Sequence, residues 1–305
     1  MVDDTLGVSL CGYQTRKMSE FLNLRTNLMN LQFGCTTCEK MHIGKQQNKD
    51  ICPTVTIDSW EEEVVENEEK EKEIKDVFKG KEALGEVLEK KYLGDIVARD
   101  GSNTSNIKDR TNKGHGSVNK IVTTLNERSY GKHYFKAAML MRGAVLVGGM
   151  LTNAESWINI TKKDYENLEK PDVLLQRKVV SVSGNPSKCF VQLELGIVPI
   201  EFLIKQKKLN FLHYILNEDI SSITHQVYVA LKEDYRKGDF VYLTNCDRKD
   251  LEIYLSDAEI RDMSKNMWKK YIKETVKSAA LKCLVNENYT KEKTKGIKFS
   301  SLELS

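Results

Sequence analysis

From Asn106 to Arg128 the residues Ile107, Thr111, Gly114, Val118, Ile121 and Leu125 are spaced 4-3-4-3-4. A helix gathers residues so spaced onto one side, so this stretch is expected to be a helix with one face buried. Arg110, Lys113 and Lys120 run down one flank of it. Between Ala98 and Lys136, eight Lys/Arg stand against three Asp/Glu, a local charge of +5. Upstream the sign reverses: Glu61 to Asp76 holds nine acidic residues and three lysines, a local charge of −6. The formal charge of +3 conceals both blocks, so its distribution, not its sum, carries information about partners. The acidic block is expected to be an exposed linker or insertion.

The remaining composition bounds the class. At 305 residues the chain has room for two modest domains, or one core with a long helical extension. Hydrophobic residues at 40% and charged ones at 30% suit a globular protein. No basic segment followed by an apolar one opens the chain, so no secretory signal is expected. The longest apolar run, Ala137 to Leu151, has 15 residues and contains Arg142, too short and too charged for a membrane span. Seven scattered cysteines, at 11, 35, 38, 52, 189, 246 and 283, fit reduced thiols and an intracellular location.

Local patterns give a coarse order of elements. Leu6, Val8 and Leu10 alternate with polar or small residues, as in a half-buried strand. A helix over Thr15 to Leu31 and short strands near Lys40 to Ile43 and Val55 to Trp60 follow. Lys91 to Val97 reads as another strand, closed by the turn signal Asp100-Gly101. The rest reads as helical. Ala137 to Leu151 is apolar nearly all round, which predicts a helix buried in a bundle. Thr161-x-x-Asp164 has the form of a capping box opening a helix through Leu168, and Pro171 is placed to start the next. After a break at Gly184-Asn185-Pro186, Pro199 fits the first turn of a helix over Ile200 to Leu216. Ser256-x-x-Glu259 caps a last helix to about Asn286, and a polar tail begins at Thr290.

Several groups could carry chemistry. Asp3 and Asp4 sit at the mouth of the first strand, where Mg²⁺ could take one or two carboxylates together with substrate phosphates. Cys35-x-x-Cys38 with His42 and Cys52 offers four soft ligands, but the spacing fits no common zinc pattern. Lys113-Gly114-His115-Gly116 lies inside a helical pattern and reads as a local weakness in the helix, not as a phosphate loop. His213 and His225 are expected to be partly buried and hydrogen-bonded.

Taken in order, Val2-Asp3-Asp4, Leu31-Gln32-Phe33-Gly34, Cys38, Lys40-Met41-His42-Ile43-Gly44 and Lys91-Tyr92-Leu93-Gly94-Asp95 resemble the motifs of a reverse transcriptase. Downstream, Asn106-Ile107-Lys108-Asp109-Arg110, Asn153-Ala154-Glu155-Ser156-Trp157, Leu193-Glu194-Leu195-Gly196 and Lys237-Gly238-Asp239-Phe240 extend the likeness. The chain is similar to the C-terminal part of a LINE-type (non-LTR) retrotransposon reverse transcriptase, over roughly Val2 to Asn286.

The resemblance implies an α+β fold, a small β-containing remnant of a polymerase palm followed by a mostly α-helical thumb and a C-terminal helical region. The expected divisions are a partial palm over 1–60, an acidic linker or insertion over 61–90, and a primer-grip-like strand over 91–100. Thumb-like helices over 101–182, a C-terminal helical region over 183–289 and a tail over 290–305 complete them. Asp3 and Asp4 would be catalytic and would hold Mg²⁺ in a two-metal site. Tyr92, Leu93 and Gly94 would form the primer grip, and Arg110, Lys113 and Lys120 would follow the backbone of an RNA template and DNA primer.

The departures are part of the likeness. Met1 stands where the family has an aromatic residue, so the chain begins inside catalytic motif C. Thr37 occupies the place of a lysine proposed to protonate pyrophosphate, with Lys40 offset from it by three residues. The fragment is therefore expected to be inactive alone and to need the missing N-terminal polymerase segment. The alternative is a non-enzymatic helical nucleic-acid-binding remnant of a retroelement. No membrane partner is expected.

Overall fold

A computed structural model describes residues 39–40, 56–66, 72–83, 85–92, 94–128, 130, 133–158, 160–180 and 186–295. The chain divides into two compact units, Met1–Ser102 and Asn103–Ser305. The described residues form short strand pairs and a larger helical part, an α+β arrangement at the coarse level. The expected first strand, the helix over Thr15 to Leu31 and the Cys35–Cys52 group lie outside the described residues.

In the first unit, β1 (Glu39–Lys40) pairs in parallel with β4 (Gly85–Glu86). The acidic stretch, expected as an exposed linker or insertion, carries strands over its described residues. β2 (Thr56–Glu66) and β3 (Lys72–Ala83) pair antiparallel with a register shift at Ser59/Trp60. The register sets Trp60 opposite Phe78 and Val64 opposite Ile74. It also sets Asp58, Glu63 and Glu66 opposite Lys81, Lys75 and Lys72. Two of the three lysines counted in the acidic block, Lys72 and Lys75, therefore stand across from acidic positions in the register.

The single strand expected over 91–100 is a hairpin. β5 (Glu89–Tyr92) pairs antiparallel with β6 (Asp95–Ala98). Gly94 has φ 89°, a left-handed conformation that glycine adopts without steric cost. The Arg99 amide donates to Leu88 O at 2.8 Å, extending the ladder. Asp100 Oδ1 then accepts from the Ser102 amide at 2.8 Å, which holds the acid below the usual carboxylate range, and Gly101 turns the chain at φ 69°.

The second unit begins with α1 (Thr104–Glu127). Its buried side is Ile107, Arg110, Gly114, Val118, Ile121 and Leu125. Arg110 joins this buried side, and Thr111 is half-buried with its Oγ1 shielded from solvent. α2 (Tyr134–Met141) runs through a π-helical stretch, Arg142–Val147, into α3 (Gly148–Met150). This segment was expected to be buried all round. It buries Ala138, Leu146 and Met150, yet leaves Leu140 65% and Val145 42% exposed. Ala138, Arg142, Leu146 and Met150, four residues apart, make one inward side, and Arg142 there meets the buried Asp172, while Leu140 and Val145 lie off that side.

A 3₁₀ turn at Ala154–Ser156 leads to α4 (Lys162–Val180). The capping box is formed as the spacing predicts: Asp164 Oδ2 accepts from the Thr161 amide at 3.0 Å, and Thr161 Oγ1 accepts from the Asp164 amide at 3.2 Å. Pro171, expected to open a new helix, lies inside α4. A mid-helix proline costs about 3 kcal/mol, so packing must offset it. Pro171 is buried against Gly114, whose missing Cβ would stand 2.9 Å from Pro171 Cγ. The glycine read as a helix weakness is thus the point where α1 meets Met150 and α4.

α5 (Lys188–Glu194), α6 (Ile200–Asn217), α7 (Ile223–Glu233), α8 (Phe240–Asp250), α9 (Asp257–Asp262) and α10 (Lys265–Lys295) complete the unit. Ser256 and Glu259 form their capping box, but on the short α9. The chain breaks at Met263, and Ser264 opens α10, its Oγ accepting from the Met267 amide at 3.3 Å. α10 buries Trp268, Ile272, Val276, Ala280 and Leu284.

Among the described residues, two hydrophobic cores result. One joins α1, Leu146 and Met150, Trp157 and α4 to Ile200 and Ile204. The other joins Leu209, Leu212, Ile215 and Leu216 to α7, α8, α9 and the start of α10. α6 contributes its first half to one and its second half to the other.

The glycines of α1 separate two effects. A methyl at Gly114 would press on Met150 Sδ and Pro171 Cγ, whereas at Gly116 no described atom lies within 4 Å. Gly114→Ala should destabilise by roughly 1–3 kcal/mol, because the rigid proline ring does not yield. Gly116→Ala should stabilise by up to about 1 kcal/mol through helix propensity. Urea unfolding of the two variants measures both, and equal effects would contradict this packing.

Candidate functional site

The expected site residues fall in different surroundings. Asp3, Asp4 and Leu93 lie outside the described residues. Tyr92 ends β5 and Gly94 makes the hairpin turn, so two of the three primer-grip positions share one tight bend. Arg110, Lys113 and Lys120 all lie on α1, but not on one surface. Arg110 is only 6% exposed, and its Nη1 donates to Gly149 O at 3.2 Å. That carbonyl belongs to the last turn of α3, where a cation meets the negative end of the helix dipole. Arg110 therefore holds α1 to α3.

Lys113 and Lys120 stay at the surface. Seven residues apart, they share one side of α1 about 10 Å apart along its axis. The Lys113 side chain is 45% exposed and ion-pairs with Asp109 one turn back. Lys108 and Arg128 are also exposed on α1 and at its end. This side of the helix is a partly neutralised cationic track.

Beneath it lies a polar network that the sequence reading missed. Arg142 Nε and Nη2 donate to Asp172 Oδ1 and Oδ2 at 2.6 and 2.7 Å, a bidentate pair whose acid is fully buried. Gln176 Nε2 donates to the same carboxylate at 2.8 Å. The signal was present: a lone arginine in an apolar run has to be paired. One turn before Asp172, Glu169 Oε2 accepts from the Ile200 amide at 3.0 Å, so a carboxyl group caps the first turn of α6. Glu169 Oε1 accepts from Gln192 Nε2. Burial pushes the Glu169 carboxyl up to about 7; Lys188 works against that rise and Asp172 adds to it.

A second charged group fastens α8 to α6. Lys205 Nζ meets Asp250 Oδ2 at 2.8 Å and Glu201 Oε1 at 3.2 Å. Beside it, burial raises Asp247 to about 6 against the pull of Lys208 and Lys205. Burial likewise lowers Lys208, opposed by Asp247. Both histidines are bonded: His213 Nε2 lies 2.9 Å from Met263 O, and His225 Nδ1 lies 3.1 Å from Ile215 O. No helix among the described residues is long and apolar enough to cross a membrane.

No protein-family model, curated protein or solved structure matches the chain.

The buried groups make two predictions. Glu169 binds its proton more tightly folded than unfolded, so its contribution is present below about pH 4.5 and is lost as pH rises through about 7. Unfolding by urea should show stability falling across that window. Glu169→Gln should remove about one proton from the slope, leaving the smaller Asp247 part between about pH 4 and 6. An unchanged slope would place the titration elsewhere. Arg142→Met leaves Asp172 charged and unpaired, and should cost about 3–5 kcal/mol. Adding Asp172→Leu should recover much of that loss, and a double variant as unstable as the single one would contradict the pairing.

Proposed function

We propose that this chain is part of a LINE-type RNA-directed DNA polymerase, with α1 following the template–primer backbone. The observation that carries the reading is the order of features. A tight hairpin bearing Tyr92 and Gly94 is followed five residues later by a 24-residue helix with Lys113 and Lys120 on its solvent side. The ordered motifs from Val2-Asp3-Asp4 to Lys237-Gly238-Asp239-Phe240 support it. Arg110 is better assigned to structure, which leaves Lys113 and Lys120 as the contacts to phosphate. Neutralising a phosphate with each lysine releases counterions, so the affinity would depend on salt and not on sequence.

The reaction would be nucleotidyl transfer: a primer 3′-oxygen attacks the α-phosphorus of a nucleotide and pyrophosphate leaves. Mg²⁺, when bound, would supply charge stabilisation at the attacking and leaving oxygens. Asp3 and Asp4 would be its ligands, on the strength of the resemblance alone. The non-enzymatic reading shares the α1 track and drops the reaction.

Two measurements separate these readings. Replacing Lys113 and Lys120 by Ala should weaken RNA–DNA hybrid binding uniformly across sequences, and lower the salt slope by about 2. An unchanged slope would remove α1 from the interface. In a protein joining this chain to the upstream polymerase segment, Asp3→Ala or Asp4→Ala should reduce primer extension to background without changing hybrid affinity. Extension that survives both substitutions would sink the polymerase reading and leave the binding one.

A further inference from the structure

α10 carries a row of lysines. Lys265, Lys269, Lys273 and Lys277 recur every four residues, are all exposed, and span about 18 Å of the axis. Lys269, Lys273 and Lys277 each follow a buried residue, Trp268, Ile272 or Val276, and so stand about 100° around the helix from it. The core therefore fixes the angle at which the row meets solvent. Lys270, three positions before Lys273 and seven before Lys277, borders the row and is exposed too.

These charges are not spent inside the unit. Among the described residues, none of the five lysines forms an ion pair or a side-chain hydrogen bond. Other exposed lysines do: Lys113 pairs with Asp109, and Lys232 with Asp257. Lys282, on α10 but off the row, pairs with Glu252 at 3.2 Å. Between Lys265 and Asn286 the one acid is Glu274. Glu218 shares the rim of a small open cavity at Tyr214 with Lys265 and Lys269, but it accepts from the Tyr214 hydroxyl. Like charges four residues apart destabilise a helix, and an evenly charged anionic partner relieves that repulsion. A membrane surface takes up a basic helix by its apolar face, which in α10 is in the core. Within the span of the row the exposed apolar residue is Met267, on the far side; Leu281 and Val285 extend the line only after the charge has ended. The row thus offers charge without an apolar centre, and a nucleic-acid backbone is the polyanion that needs no more.

We propose that Lys265, Lys269, Lys273 and Lys277 form a second nucleic-acid surface, each lysine meeting a backbone phosphate. The proposal extends the nucleic-acid reading above and rests on it for the choice of polymer. The surface is separate from the α1 track: α1 belongs to one hydrophobic core, and the start of α10 to the other. Sequence-independent, salt-sensitive affinity is divided between the two.

The test uses the full chain and a fluorescently labelled RNA–DNA hybrid, read by anisotropy over a series of salt concentrations. Replacing the four row lysines by Gln should lower the salt slope by about 3.6, at about 0.9 for each phosphate contact. Lys273→Gln alone should lower it by about 0.9. Lys282→Gln, the same charge change on the same helix, should leave it unchanged. Helicity by circular dichroism should not move in the row variants, because Gln suits a helix about as well as Lys. An unchanged slope in the fourfold variant would overturn the proposal, and so would equal slopes for Lys273→Gln and Lys282→Gln. The Lys113 and Lys120 replacements report on α1 alone, so either surface can fail without the other. Poly-glutamate that displaces the hybrid as well as unlabelled hybrid does, at equal charge concentration, would overturn the assignment to nucleic acid. An unchanged hybrid slope with lost binding to phosphatidylserine vesicles would assign the row to a membrane surface instead.

Discussion

The helical unit depends on α6 being held at both ends. Its first turn is capped by Glu169, its first half lies in one core, and its second half lies in the other. A helix N-terminus inside a protein leaves amide donors in need of acceptors, and water is not there to serve them. A carboxyl group supplies the acceptor, and being buried it favours its proton. The anchor of the central helix is thus also a titrating group, and the two cores are joined through an element whose fixing responds to pH.

Inward-facing cations shape the rest. Arg110 reaches the last turn of α3, and Arg142 reaches Asp172 from a π-helical stretch. Each could have been a surface charge, and each is instead spent on tying helices together. Ala138, Arg142, Leu146 and Met150 recur every four residues, so one side of this segment carries the buried charge and the buried apolar residues together. Leu140 and Val145 lie off that line and are exposed. The cationic character read from composition is consequently weaker at the surface than the residue count suggests.

Much of this was legible in the sequence. The spacing of Ile107, Gly114, Val118, Ile121 and Leu125 marks the buried side of α1, and both capping boxes announce helix starts. Lys113 and Lys120 were legible as a flank. Periodicity does not decide between neighbours at the edge of an arc, so the inward turn of Arg110 needed its acceptor at Gly149 to be known. Pro171 followed tertiary packing over its local preference. The cavity at Tyr214 was not legible because Asn210 and Lys265, 55 positions apart in sequence, meet only in the fold. Asp3 and Asp4 rest on motif order alone.

The buried line of α10 has one more consequence. Trp268, Ile272, Val276, Ala280 and Leu284 recur every four residues, and four residues overshoot a helical turn by about 40°. By Leu284 the line has swung roughly 160° around the axis, nearly to the side opposite Trp268. A straight seam would keep one neighbour throughout; this one changes neighbours as it goes. α10 accordingly packs on α6, where Trp268 meets Leu209, and on α5 as well. The last long helix is wound into the unit like a screw thread.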